Sequence, residues 1–555
     1  MVAVPACQQL RLRCCGATGC RSAGAEPLLA ALRAVAGGRG PDEAEGDVVS
    51  DVVGEVAGDA EPEPLEVRSV GCLRLCGAGP LVALDGPGGT SLYGGVPPER
   101  AGELVALARA GGPQLGGPDL AGPDLASHRL DLEHPFFRLQ RPLVLEGCGI
   151  VDPARIEDAL AHGSYAQLRR VLQQLSPAEV REQVRRSGLR GRGGGGYPTG
   201  LKWDTVALQS PGRRYLVCNA DEGDPGAFMD RSVLEGDPHR LLEGMAIAAY
   251  AVGADHGYVY VRAEYPLAIE RLRLALQQAR QHGLLGRGIA GSPFNLELEV
   301  RVGAGAYVCG EETALLHSIQ GQRGTPRTRP PFPAQSGLWG SPTLINNVET
   351  FAAVPVILRE GGDWYAGIGS EGSRGTKVFS LSGAICHTGL VEVPMGTSLR
   401  TVVETMGGGA PDGGSVKAVQ TGGPSGGCIP AALLDTPVDF ESLIALGSMM
   451  GSGGMVVIGE GTAMPELARH FMAFSVNESC GKCVPCRAGT VQLLALLDRC
   501  VQHGATAAEL EALENLCAMV KATSLCGLGQ AAPNPVLSTL RHFRHEYIAP
   551  PEVEP

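Results

Sequence analysis

Three cysteines stand two residues apart in Cys480-Gly-Lys-Cys483-Val-Pro-Cys486, and a fourth, Cys526, follows 40 residues later in Ser-Leu-Cys-Gly-Leu-Gly. A chain that must bring a distant thiol back onto a C-x2-C-x2-C turn has one end of its fold pinned. Three thiolates at this spacing wrap one corner of a cube and a distant fourth closes it, which is the ligand logic of a [4Fe–4S] cluster. Zinc is the weaker alternative, because it more often uses two separated C-x2-C pairs or adds His. No His lies between Cys480 and Cys486.

A second set lies near the other end: Cys15 and Cys20 in a C-x4-C, then, 52 residues on, Cys72 and Cys76 in a C-x3-C. Four soft ligands suit [2Fe–2S] or zinc, and spacing alone leaves both open. Cys14 stands beside Cys15 and could replace it, so the ligand set is also open by one residue. The other nine cysteines (Cys7, Cys14, Cys148, Cys218, Cys309, Cys386, Cys428, Cys500, Cys517) are isolated or sit in apolar patterns and read as small packed hydrophobes. The N-terminal residues show no basic region followed by a long apolar core, and no run of about 18 apolar residues occurs anywhere. The expectation is a cytoplasmic protein without membrane insertion, whose thiols stay reduced.

Hydrophobic residues make up 44% of the 555 and charged residues 19%, which can fill cores and excludes a wholly disordered chain. The net charge of -13 is local in origin. Of 59 acids, ten lie between Asp42 and Glu66 with no Lys or Arg among them, leaving 49 against 46 Lys and Arg elsewhere. That segment reads as a solvated insertion, with a docking patch for a basic partner as the lesser alternative. A near-neutral remainder with 5% aromatics disfavours nucleic-acid binding.

The densest glycine run is Gly191-Arg192-Gly193-Gly194-Gly195-Gly196-Tyr197-Pro198-Thr199-Gly200-Leu201-Lys202. Gly191, Gly193 and Gly196 match G-x-G-x-x-G, but a helical pattern precedes the loop and Pro198 follows it, so a Rossmann turn is rejected. No Gly-Lys-Ser/Thr ends it, so it is not a Walker loop either. What remains is a backbone that can approach a flat or phosphorylated ligand closely, flanked by Arg190, Arg192 and Lys202. The loop Asn219-Ala-Asp221-Glu222-Gly-Asp224 follows a strand and reads as hydrogen bonding to a ligand in preference to metal binding. Gly303 to Thr313 joins a strand to a helix, where free amides can hold phosphate.

The expected fold class is α/β multidomain. The reading divides the chain into residues 1–110, a first domain with an acidic insertion; 111–144, a Gly-Pro-rich linker; 145–370, an α/β domain; 371–445, a small β domain; 446–548, a helical domain; and 549–555, a tail. Strands are expected at Tyr215–Cys218 and Gly257–Val261, and helices at Asp237–Ala251 and Pro266–His282.

The run Arg190 to Trp203, the Asn219 to Asp224 loop, Gly303 to Thr313, Ile345-Asn346-Asn347-Val-Glu-Thr350 and Glu478-Ser-Cys-Gly-Lys-Cys resemble the NADH-oxidising flavin subunit family. That family takes in the complex I flavoprotein subunit, the diaphorase subunit of NAD-linked hydrogenases and the β subunit of NAD-dependent formate dehydrogenases. The nearest likeness is to the diaphorase subunit of cyanobacterial-type bidirectional [NiFe] hydrogenase, over almost the whole chain. It implies an N-terminal thioredoxin-like [2Fe–2S] domain on Cys15, Cys20, Cys72 and Cys76, an FMN/NAD(H)-binding α/β domain, a β-grasp-like domain and a helical [4Fe–4S] domain.

The resemblance further implies that FMN is surrounded by the glycine loop with Arg192 and Lys202, by Asn219, Asp221 and Glu222, by Tyr307, Gly310, Glu311 and Glu312, and by Asn346, Asn347 and Thr350. NAD(H) would stack near Tyr197, with Asp224, Glu312, Arg329 and Phe332 around it; Tyr197 and Glu312 are the candidate catalytic residues. The chain has Tyr197, Asp224 and Thr205 where complex I proteins often have Phe, Glu and Phe, which leaves the dinucleotide contacts less defined than those to flavin. The implied function is NAD(P)H oxidation through FMN, with single electrons passing by iron–sulfur clusters to small iron–sulfur and hydrogenase subunits of a hetero-oligomeric complex. A formate dehydrogenase β subunit is the alternative within the family, and a non-catalytic iron–sulfur wire or scaffold the alternative outside it.

Overall fold

The computed structural model of the chain describes residues 10–37, 65–111 and 123–548. The acidic segment from Asp42 to Glu63, the Gly-Pro-rich repeat between 112 and 122, the 549–555 tail and Cys7 lie outside the described residues. Among the described residues the architecture is mixed α/β, with three sheets and a helical C-terminal region.

The first sheet has strands β1 (Arg11–Cys15), β2 (Glu66–Val70), β3 (Leu81–Gly86), β4 (Gly89–Gly94) and β5 (Arg129–Leu130), in the order β2-β1-β3-β4-β5. Only β1 and β2 run parallel. Arg13 and Asp85 form a buried two-pronged ion pair across β1 and β3, with Nε to Oδ2 at 2.6 Å and Nη2 to Oδ1 at 2.7 Å. β5 lies within the expected linker, so that segment is partly built into the first sheet. Its two residues pair with β4 because Leu92 and Leu130 share a register position there.

The second sheet is fully parallel: β6 (Tyr215–Ala220), β7 (His256–Arg262), β8 (Glu297–Gly303) and β9 (Thr343–Asn347), in the order β8-β7-β6-β9. β6 and β7 are apolar on both faces, as a covered parallel sheet requires. In the helix Pro238–Val252 every residue except Tyr250 is buried. Gly244 lets the helix Val348–Glu360 lie directly against it, since a Cβ there would stand 2.0 Å from the Phe351 carbonyl oxygen.

The third sheet has β10 (Thr376–Gly383), β11 (Gly389–Pro394), β12 (Val416–Thr421), β13 (Gly427–Pro430) and β14 (Gly454–Gly459), in the order β11-β10-β14-β12-β13. Its central strand therefore comes from beyond the expected boundary at residue 445. The hydrophobic run Met455–Ile458 needs cover on both edges and finds it between β10 and β12. Four of the five helices between Met464 and Phe543 then enclose their own core around Leu493, Leu497, Leu513 and Val536. Among the described residues no helix is long and apolar enough to cross a membrane.

Candidate functional site

The C-terminal ends of β6 and β9 open into a cavity of about 900 Å³. It is lined by the glycine loop, the 221–224 turn and the turn after β8, by segments that connect the strands of the third sheet, and by residues of the C-terminal helical region. In an open parallel sheet the connections diverge at the carboxyl ends where the strand order reverses, and leave a crevice for a ligand.

The glycine loop leaves the helix Pro177–Arg186 and runs into the helix Thr199–Ala207. Gly194 and Gly196 hold φ of +108° and +60°, conformations that disfavour any side chain. A Cβ on Gly196 would also strike the Phe440 ring at 2.8 Å, whereas one on Gly195 would meet nothing within 4 Å.

All the residues expected around flavin and dinucleotide line this cavity except Arg192 and Thr350. These two are buried behind the wall. Arg192 is 1% exposed. Its guanidinium donates to the carbonyls of Thr376 (3.1 Å) and Arg374 (2.6 Å), and its amide donates to the Thr350 hydroxyl (2.9 Å). Arg190 is likewise occupied, with Nε on the Gly196 carbonyl at 2.6 Å and Nη1 on Glu441 at 2.6 Å. Lys202 faces the cavity, where its ammonium pairs with Glu312 and donates to the Ile345 carbonyl at 3.1 Å.

Several other expected residues lock one loop to another. Asn219 donates to the Gly310 carbonyl at 2.9 Å, and Asn346 accepts from the Trp203 indole at 3.0 Å. Asn347 accepts the Glu349 amide and donates to Asp230. Glu311 caps the helix Glu312–Ile319, and Glu222 accepts the amides of Asp230 and Arg231. Tyr307 donates its hydroxyl to Asp224 at 2.7 Å, and Ser452 donates to the other Asp224 oxygen at 2.9 Å. Tyr197 and Phe332 are each half exposed at the cavity, and Arg329 lies 5.9 Å over the Phe332 ring.

Asp221 differs from these. Both its carboxylate oxygens are shielded from solvent and lack a hydrogen-bond partner. Burial pushes its carboxyl up to about 7, opposed by Arg262 and reinforced by Glu264 and Glu478. An acceptor left orphaned on a cavity wall calls for ligand donors, and the hydroxyls of a ribityl chain supply them. With the open Gly195 face lining the same cavity, the residue set fits FMN.

Sequence reasoning missed the opposite wall: Ser425, Ser448, Met449 and Ser452, and Lys521, Gln530 and Asn534. The glycine-dense turns Gly422–Gly427 and Gly451–Gly454 were the available signal.

Beside this cavity Cys480, Cys483, Cys486 and Cys526 line one small pocket with Ser479, Lys482 and Pro326. Cys486 and Cys526 are buried, and burial pushes the Cys526 thiol up to about 11. Four thiols facing one pocket, none in a disulfide, fit a [4Fe–4S] cluster.

In the first sheet, Cys15 meets both Cys20 and Cys72, hydrogen bonds that together with burial push its thiol up, and Cys72 and Cys76 sulfurs lie 3.6 Å apart. Cys14 points the other way along β1, donating to the Ala25 carbonyl at 3.8 Å. The alternation of a strand therefore places Cys15, not Cys14, with the other three. Thr18 beside this set donates its amide to Glu235 at 2.8 Å, and a Cβ on Gly71 would stand 2.3 Å from the Gly236 Cα. The cysteine set is thus seated on the helix Met229–Gly236, whose Asp230 lines the cavity.

Residues 184–356 match the family described as Nuo51 FMN-binding domain, and residues 466–550 the NADH-ubiquinone oxidoreductase-F iron-sulfur binding region. The NADP-reducing hydrogenase subunit HndC of Solidesulfovibrio fructosivorans is 55% identical over 74% of this chain and 83% of its own length. An F-type subunit of NADH-quinone oxidoreductase from Rhizobium meliloti (strain 1021) is 47% identical over 74% of this chain and 97% of its own. A crystal structure of NAD+-reducing [NiFe]-hydrogenase in the H2-reduced state superposes with a TM-score of 0.65 at 30% identity, covering 99% of this chain and 86% of that one. The chain belongs to the family of F-type subunits of NADH-quinone oxidoreductase, which also takes in the hydrogenase protein HndC.

Proposed function

We propose that the chain is the diaphorase module of a hydrogenase-type complex, oxidising NAD(P)H, or reducing NAD(P)+, and exchanging single electrons with iron–sulfur partner subunits. The observation that carries this reading is the adjacency of a cavity suited to FMN and dinucleotide and a pocket lined by four cysteines, joined by the hydrogen bond from the Tyr307 amide to Glu478. FMN, when bound, supplies the conversion between two-electron and one-electron transfer.

The chain's own residues bind, orient and exclude. The glycine loop offers main-chain amides without side-chain obstruction, and Asp221 accepts from ribityl hydroxyls. Tyr197 and Phe332 give the dinucleotide two half-exposed rings, with the Arg329 guanidinium over the second. Glu312, neutralised by Lys202, faces the same space without adding net charge against an anionic ligand. Asp224 is held by Tyr307 and Ser452; its burial, the main influence, pushes its carboxyl up. Hydride transfer needs no protein nucleophile, since alignment is the protein's contribution to it.

In this reading residues 1–110 form the thioredoxin-like domain with [2Fe–2S] on Cys15, Cys20, Cys72 and Cys76. The third sheet is the β-grasp-like unit, and the last helices carry [4Fe–4S]. The setting proposed is the cytoplasm. Protein purified anaerobically and reconstituted with FMN, iron and sulfide should be yellow-brown and reduce viologen with NADH or NADPH; failure to bind flavin contradicts the assignment.

A further inference from the structure

Among the described residues, two side chains border both the flavin cavity and the cysteine pocket: Val308 and Leu528. They are 5% and 9% exposed and belong to one apolar cluster with Cys309, Ile345, Cys486 and Cys526. Whatever passes between the two cavities by the shortest way passes this pair.

Both residues are fixed from either side. Val308 follows Tyr307, whose amide donates to Glu478 at 2.9 Å and whose hydroxyl donates to Asp224 at 2.7 Å. Leu528 stands two residues after Cys526, and its neighbour Gly529 packs so closely that a Cβ there would lie 2.9 Å from the Cys486 Cβ. Two further bonds clamp the cysteine turn onto the flavin side: Arg323 to the Cys480 carbonyl at 3.0 Å, and Lys482 to the Pro326 carbonyl at 2.5 Å. These bonds tie the cysteine turn to the segment that follows the helix Glu312–Ile319.

Aliphatic side chains have no proton to give and no charge to move; what they do is fill space and exclude water. A gap lined with unfilled volume forfeits its contacts outright, so continuity between two redox groups depends on the pair being present. We propose that Val308 and Leu528 are positioning residues for flavin-to-cluster electron transfer, an apolar septum that sets the spacing of the two groups and keeps water and dissolved oxidants out of the gap. The role presupposes the flavin and [4Fe–4S] reading of the two cavities. NADH gives a hydride to the flavin, which with one solvent proton becomes the two-electron-reduced form, and NAD+ leaves. Two one-electron transfers across the septum then reduce the oxidised cluster in turn, an external one-electron acceptor such as viologen empties it each time, and two protons return to solvent.

The test follows flavin and iron–sulfur absorbance separately after the anaerobic holoprotein is mixed with NADH. In Leu528→Ala and Val308→Ala the flavin phase stays within about twofold of wild type while the cluster phase slows about fivefold or more, through lost contacts. Leu528→Met, which keeps the volume, restores it. A second reading needs no turnover. In cluster-free, flavin-free protein a charged thiosulfonate labels Cys486 and Cys526 about threefold faster or more in the alanine variants, because truncation joins the two cavities. A merely structural role would move both kinetic phases together. A wild-type cluster phase in both alanine variants, or unchanged labelling, overturns the septum. Wild-type protein whose flavin NADH does not reduce overturns the functional reading instead, and the two failures are distinct. If Leu528→Ala does not accumulate, Val308→Ala, the smaller deletion, decides by the same readings.

Discussion

The Tyr307 amide donates to the Glu478 carboxylate at 2.9 Å, fastening the turn that closes the flavin cavity to the residue two places before the first cluster cysteine. One bond thereby ties the geometry of two sites that lie 171 residues apart in sequence. Glu478→Ala leaves a main-chain N–H without its acceptor, a loss of about 1–2 kcal/mol. Glu478→Gln keeps an acceptor oxygen and most of that stability. Denaturant unfolding of the holoprotein, with iron counted per chain, checks both: the alanine variant should retain less iron and the glutamine variant near-normal iron.

Asp221 sets a pH dependence in the flavin-free protein. Its carboxyl is raised to about 7 by burial, so the folded chain holds a proton that the unfolded chain releases near pH 4. Stability contributed by that proton is complete below about pH 4 and is lost as pH rises toward about 7. Asp221→Asn has no such proton to lose. Its melting temperature should match wild type at low pH and exceed it above neutrality, and parallel profiles would remove Asp221 as the cause.

Gly195 offers a cleaner probe of the cradle than its neighbours, because a Cβ there meets nothing in the ligand-free chain. Gly195→Ala should therefore leave apoprotein stability unchanged or slightly raised. Its methyl group would occupy space facing the ligand, and FMN affinity should fall about tenfold, roughly 1.4 kcal/mol. Flavin fluorescence quenching measures the affinity and thermal unfolding the stability.

Cys14 and Cys15 are adjacent in sequence but face opposite sides of β1. If the N-terminal set holds the proposed [2Fe–2S] cluster, Cys15→Ser should abolish its signal in electron paramagnetic resonance and remove two irons per chain. Cys14→Ser should leave both unchanged, and the reverse pattern would contradict the ligand assignment.

The cysteine spacings and the glycine run made both sites legible from the chain alone, because ligand geometry and close backbone approach leave local signatures. Strand β6 and the helix Pro238–Val252 were legible too, as apolar runs of the right length. The direction of Arg192 was not. Beside four glycines it reads as an anion binder, yet its guanidinium is drawn away by the carbonyls of Arg374 and Thr376, contacts about 180 residues distant in sequence that no local pattern encodes. The place of β14 and the serine-rich wall were hidden for the same reason. Short turns such as Gly422–Gly427 look alike whether they face solvent or a cavity, and only tertiary contacts such as Ser452 to Asp224 and Ser380 to the Gly226 carbonyl decide.

Electrons from a reduced dinucleotide are proposed to reach the four-cysteine pocket through the flavin cavity. Anaerobic titration of the FMN- and iron–sulfur-reconstituted protein with NADH or NADPH, followed by electron paramagnetic resonance, tests it most directly. A reduced-cluster signal should appear that requires FMN and is lost in Cys526→Ser. A cluster that stays oxidised in flavin-loaded protein with either dinucleotide would contradict the account.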